Sequence, residues 1–168
     1  ISECLVGSEM CIRDRMYRGD EAYMKTLLPA YRQVLSWYEQ WLKPDYSLSY
    51  VPHWFFVDWA AGFDYGEPIR EKEGNSALQD LMYIMTLEFA AEMEQAIGLP
   101  AMADHYRKIA TEMRKTIRPK YWDAARNLFA DTQDHRSYSQ HVNALAILTG
   151  VTLSLIHISE PTRHSLIS

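Results

Sequence analysis

Two adjacent helical segments with opposite hydrophobic patterns constrain this chain more than any other feature. From Ser76 to Gly98 the residues Leu78, Leu81, Met82, Ile84, Met85, Leu87 and Phe89 are apolar at spacings that wrap most of a helix's circumference. Such a helix must be buried on more than one side. Its limits are legible too: Ser76-Ala77-Leu78-Gln79 has capping-box spacing, and Gly98 supplies a stop. From Pro100 to about Ile117 the pattern changes to one stripe, formed by Ala103, Tyr106, Ile109, Ala110, Met113 and Ile117, with charged residues elsewhere. That is a surface helix. A further segment opening at Ser139 is again apolar in Val142, Ala144, Leu145, Ala146, Ile147 and Leu148, and reads as interior. Inner, outer and inner helices joined by alternating short and long connections predict an all-α domain of the toroid type, with inner helices ringing a cavity. A helical solenoid has the same rhythm, but it would repeat its sequence at a fixed period, and the Ser76 and Ser139 helices show no such repeat.

The rest of the chain fits around these helices. Tyr23, Leu27, Ala30, Tyr31, Val34, Leu35, Tyr38 and Leu42 predict a first helix over Asp20 to Leu42, bent at Pro29. Pro44 and Asp45 end it. The stretch from Tyr46 to Gly74 has no helical period and is rich in aromatics, glycine and proline. It predicts a long ordered loop, with short strands around Val51 to Val57, and loops of this length in compact domains are usually functional. A hairpin-like section is expected between Tyr121-Trp122-Asp123 and Phe129-Ala130-Asp131.

The two ends are expected to be foreign to the domain. Leu153 to Arg163 reads as the translation of a transposon-end adapter used in DNA library preparation. Leu5 to Asp14 reads as the same DNA in reverse complement. Residues 1–15 and 152–168 are therefore expected to be adapter-derived, and 16–151 to be an internal fragment of one domain. Cys4 and Cys11, the only cysteines, fall in the first of these ends and so say nothing about compartment. Localisation stays open. The formal net charge of −5 gives no basic footprint for nucleic acid. No apolar run approaches the ~20 residues of a membrane span. Trp and Tyr gathered between Trp37 and Tyr65 are either core or platforms on which the C–H faces of sugar rings stack.

Val51-Pro52-His53-Trp54-Phe55-Phe56-Val57-Asp58-Trp59 resembles the W-x-F-x-D-W loop of bacterial alpha-L-rhamnosidases. Upstream, Tyr17-Arg18-Gly19-Asp20, Leu27-Leu28-Pro29 and Val34-Leu35-Ser36-Trp37 resemble the family's preceding helix. Downstream, Lys120 to Asp123, Phe129 to Thr132 and Ser139 to Gly150 resemble its later segments in the same order. The resemblance implies part of an (α/α)6 catalytic domain that removes terminal alpha-L-rhamnosyl residues with inversion, its ligand a rhamnose-containing carbohydrate, with no cofactor. An inverting enzyme holds two carboxyl groups ~6.5–9.5 Å apart, leaving room for water. In the family the general acid lies upstream of the loop and the base downstream of this match, so neither is expected here and the chain alone is expected to be inactive. Two other readings stand: another toroid-type sugar enzyme such as a polysaccharide lyase, or a non-catalytic helical-repeat binding module.

Six residues are candidates for substrate binding. Trp54 and Trp59 are stacking platforms or anchors of the loop. Asp58, between them, is an acceptor for sugar hydroxyls or a structural ion-pair partner. His53 hydrogen-bonds within the loop or touches ligand. Gln140 and His141 open an inner helix, where polar groups face the cavity. Glu67, Glu71 and Glu73, interleaved with Arg70 and Lys72, read as a solvated charged loop rather than a catalytic pair. Asn75 lines the site or caps the helix. Asp131, Asp134 and His135 lack a fourth ligand at a spacing suited to a metal.

Overall fold

The computed structural model describes residues 21–71 and 75–152. The segment Tyr17 to Asp20, Lys72, Glu73, and the terminal stretches read as adapter up to residue 15 and from residue 153 lie outside the described residues. The order of elements is α1 (Glu21–Glu39), α2 (Ala77–Ile97), α3 (Pro100–Tyr121), a two-stranded hairpin of β1 (Trp122–Asp123) and β2 (Leu128–Phe129), and α4 (Gln140–Leu148). The fold is helical, a partial toroid of inner and outer helices.

Helix α2 is the axis of the core. Ala77, Leu78, Leu81, Tyr83, Ile84, Leu87, Ala90, Ala91 and Met93 are all buried. Each large aliphatic side chain so enclosed contributes roughly 1.5–3 kcal/mol. Helix α3 lies antiparallel beside it and buries the single stripe Ala103, Tyr106, Ile109, Ala110, Met113 and Ile117. Helix α1 buries Met24, Leu28, Tyr31, Leu35 and Tyr38, spaced by fours and threes. A seam of tyrosines joins the three helices. Tyr38 stacks on Tyr83 at 5.3 Å between centroids, and Tyr31 meets Tyr106 edge-on at 6.5 Å. Arg32 of α1 donates two hydrogen bonds, at 2.6 and 2.7 Å, to the fully buried carboxylate of Glu94 in α2.

Several local expectations need correction. Helix α1 runs through Pro29 as expected but ends at Glu39 rather than Leu42, and α3 continues through Pro119 to Tyr121, beyond the end expected near Ile117. The Ser76 hydroxyl accepts from Leu78 N at 3.2 Å, but Gln79 does not complete a capping box; its side chain is buried and its Oε1 has no hydrogen-bond partner. Gly98 ends α2 without a left-handed residue, at φ −115°. A Cβ there would collide with the Glu94 carboxylate, which crosses the helix end to accept from Leu99 N at 2.8 Å. No strand forms between Val51 and Val57. Helix α4 is buried on one side only: Val142, Asn143 and Ala146 are enclosed, while Ala144 and Leu148 face outward.

The hairpin fixes the start of α4. Trp122 pairs with Phe129 and Asp123 with Leu128. Asn143 then clasps β2, its Oδ1 accepting from Phe129 N at 2.9 Å and its Nδ2 donating to Phe129 O at 3.0 Å. Asp131 is buried and holds the preceding turn through the hydroxyls of Ser137 and Ser139, each at 2.6 Å. No helix among the described residues is long and apolar enough to cross a membrane.

Candidate functional site

The loop after α1 is held from below by buried charge. Asp80, in the first turn of α2, accepts from Leu48 N at 2.9 Å and from the Tyr121 hydroxyl at 2.8 Å. Burial pushes its carboxyl up to about 6, against the opposing influence of Lys120 and these two donors. Burial likewise lowers Lys120, whose ammonium lies 3.9 Å from Glu71.

A second set of clamps shapes the outer part of the loop. Arg70 donates to the carbonyl of Val51 at 2.9 Å and reaches that of His53 at 3.4 Å, while pairing with Glu67 at 3.2 Å. Glu67 also accepts from Phe55 N at 2.8 Å, and Glu71 accepts from Gln133 N at 2.9 Å. Glu67 and Glu71 are thus partly buried tethers of the loop backbone, where the interleaved charges predicted a solvated stretch. A carboxylate committed to loop backbone in this way is poorly placed for acid–base work.

At the tip, Asp64 and Glu67 pair through both backbone hydrogen bonds, at 3.1 and 2.9 Å, around Tyr65 and Gly66. Both central residues have positive φ, 49° and 79°, the signature of a tight two-residue hairpin turn. Gly66 is required twice over: a side chain there would be strained at that φ and would strike the Phe56 ring. Its carbonyl accepts from Val57 N at 2.8 Å, so the tip folds back on the segment that carries the two tryptophans.

The result is a row of rings, Trp54–Phe56–Trp59, with centroids 5.3 and 5.4 Å apart. Trp54 donates from Nε1 to the Tyr65 carbonyl at 3.2 Å. Trp54, Trp59 and Tyr65 are 53%, 75% and 78% exposed, although their size would ordinarily bury them. They line an open hollow of about 630 Å³, shared with Asp64, Pro68 and Ile69.

Asp58 points elsewhere. Its Oδ1 accepts from the backbone N–H of Trp59 at 2.7 Å, and its Oδ2 from Nε2 of His141 at 3.0 Å. This bond, across 83 positions of sequence, brings the aromatic loop to the first turn of α4. Phe63 packs against the His141 ring at 5.4 Å. Four of the six sequence candidates, Trp54, Asp58, Trp59 and His141, therefore form one contiguous region. Gln140 is exposed on the same first turn of α4. His53 stands apart: its ring lies 6.1 Å from Trp37 and its backbone, at φ 77°, is tied to Arg70. The other candidates are accounted for locally. Asn75 is buried without capping α2, its amide lacking a hydrogen-bond partner. Asp131 is consumed by two serines, and Asp134 accepts from Thr132 at 2.6 Å. Tyr65, Phe63, Arg70 and the clamp role of Glu67 were not singled out by sequence reasoning, and only the Tyr-Gly pair in the tip signals a turn there.

Comparisons with known proteins agree with this picture. Residues 8–160 match the model of the bacterial alpha-L-rhamnosidase six-hairpin glycosidase domain. Among solved structures, a GH78 family rhamnosidase of Bacillus sp. GL1 matches 88% of this chain at 25% identity, with a TM-score of 0.74. The chain spans 15% of that protein's length. No curated protein matches by sequence.

Proposed function

The chain belongs to the bacterial alpha-L-rhamnosidase six-hairpin glycosidase family, and on that premise we propose that it forms part of the substrate wall of an inverting enzyme that removes terminal alpha-L-rhamnosyl residues. The observation that carries this reading is the Asp58–His141 hydrogen bond beside the exposed Trp59. It sets a carboxylate acceptor and an imidazole next to an indole face, the combination that hydroxyls and C–H faces of a deoxyhexose require. Gln140, one position before His141, adds an amide that can donate or accept. The general acid and the base belong to parts of the parent enzyme outside this chain, so the chain binds but does not hydrolyse.

Titrating the 168-residue chain with methyl alpha-L-rhamnoside, followed by heteronuclear NMR, tests this directly. Shifts at Asp58, Trp59 and His141 that saturate with sugar, and that weaken at least about tenfold in Asp58→Asn, are expected. An unchanged spectrum at high sugar concentration would remove the assignment of these residues. Turnover of an aryl rhamnoside by the chain alone would overturn the placement of the catalytic carboxyls outside it.

A further inference from the structure

The aromatic hollow and the Asp58–His141 pair are neighbours with different chemistry. Around the pair, carboxylate, imidazole and the Gln140 amide offer directional hydrogen bonds. In the hollow most of that capacity has been spent on the protein itself, with the exposed Asp64 carboxylate the exception: Arg70 and Glu67 are bound to loop backbone and to each other, and the Trp54 N–H is bound to Tyr65 O. What remains is chiefly ring face and edge.

Tyr65 is the residue that folding does not explain. It occupies the first central position of a turn in which asparagine, aspartate or glycine is favoured, because φ there is positive. A tyrosine at φ 49° is strained, and its ring is the most exposed large aromatic among the described residues. Strain combined with exposure at the rim of a hollow is the pattern of a ligand contact, since neither contributes to stability.

Resting on the function proposed above, we infer that Tyr65, with Trp54, forms a leaving-group subsite that takes the flat apolar face of the ring attached to the departing rhamnosyl oxygen. A hollow of about 630 Å³ has room for such a ring beside the terminal sugar held at Asp58 and His141. Both an aryl group and the C–H face of a second sugar have the required shape.

Isothermal titration of the 168-residue chain with methyl, phenyl and glucosyl alpha-L-rhamnosides separates the possibilities. The phenyl glycoside binds about tenfold tighter than the methyl glycoside. Tyr65→Asn and Tyr65→Ala bring the two within about twofold of each other, and leave methyl rhamnoside affinity unchanged. Tyr65→Asn also melts at the same temperature as the parent or higher, because it relieves the turn, which a purely structural tyrosine would not allow. A glucosyl preference that is also lost in Tyr65→Asn extends the subsite to a second sugar; its absence confines it to aryl groups. Equal affinities for methyl and phenyl glycosides in the parent chain, or equal losses for both in Tyr65→Asn, overturn the subsite and leave the rhamnoside-binding reading intact. Failure of all three glycosides to bind overturns both.

Discussion

Asp80 and Asp58 each accept hydrogen bonds from a part of the chain distant in sequence, yet they sit in opposite environments. Asp80 is fully enclosed between Leu48 N–H, the Tyr121 hydroxyl and Lys120. Asp58 has a side chain 56% exposed, beside an indole that is more exposed still. A buried carboxylate with saturated oxygens can only anchor, because displacing a partner leaves an unsatisfied group in low dielectric. An exposed carboxylate held by one imidazole and a neighbouring backbone N–H can exchange the imidazole for a ligand at little cost. The difference separates a structural floor, at the start of α2, from the exposed face proposed to bind substrate.

Replacing the floor gives the largest expected effect. Asp80→Ala strands the Leu48 N–H, the Tyr121 hydroxyl and the Lys120 ammonium, and is expected to lower stability by roughly 2–5 kcal/mol, read as a reduced urea midpoint at constant slope. A loss under about 1 kcal/mol would mean that Asp80 is no anchor. Gly66→Ala comes next, at about 1–3 kcal/mol, since it strains a positive φ and displaces Phe56. Indole resonances of Trp54 and Trp59 are expected to shift in that variant, while those of the α2–α3 core hold.

The floor is also expected to respond to pH. The carboxyl of Asp80 stands at about 6 in the folded chain against 3.8 as an ordinary aspartate. The folded state therefore holds this proton more tightly than the unfolded state does. Its contribution to stability is fullest below about pH 4 and is lost as pH rises through 6. Urea midpoints across that range are expected to fall with pH more steeply in the parent than in Asp80→Asn. Parallel curves would show that the carboxyl titrates near its ordinary value. The smallest effect is reserved for the face: His141→Ala is expected to change stability by no more than about 0.5 kcal/mol while weakening methyl rhamnoside binding. A large loss of stability would make the Asp58–His141 bond a structural latch.

The helices were legible in advance for a physical reason. An all-round apolar pattern in α2 and a single stripe in α3 are set by residue period, which tertiary context rarely reverses in long segments. The end at Gly98 was also legible, but not its cause: the space a side chain would need is taken by the Glu94 carboxylate folding back to Leu99 N, itself held by Arg32 from α1. Burial acts most strongly, to raise Glu94, but the hydrogen bonds and charge of Arg32 and the Leu99 N–H together outweigh it, leaving the carboxyl below its usual value. The clamp made by Glu67 and Arg70 escaped the sequence because alternating charges look alike whether they face water or backbone. Tyr65 escaped it because a proposed platform is picked out by exposure, which composition does not encode.

Helix period, aromatic content and the order of the motifs were determined by the sequence alone, and with them the class of fold and the family. Tertiary structure decided which polar groups are free. Asp58 and His141 meet only because the β1–β2 hairpin and Asn143 set the start of α4 against a loop anchored by Asp80 and Arg70. Hydrophobic periodicity is a local property of the chain, whereas the partners of a carboxylate depend on contacts between residues that sequence separation keeps far apart.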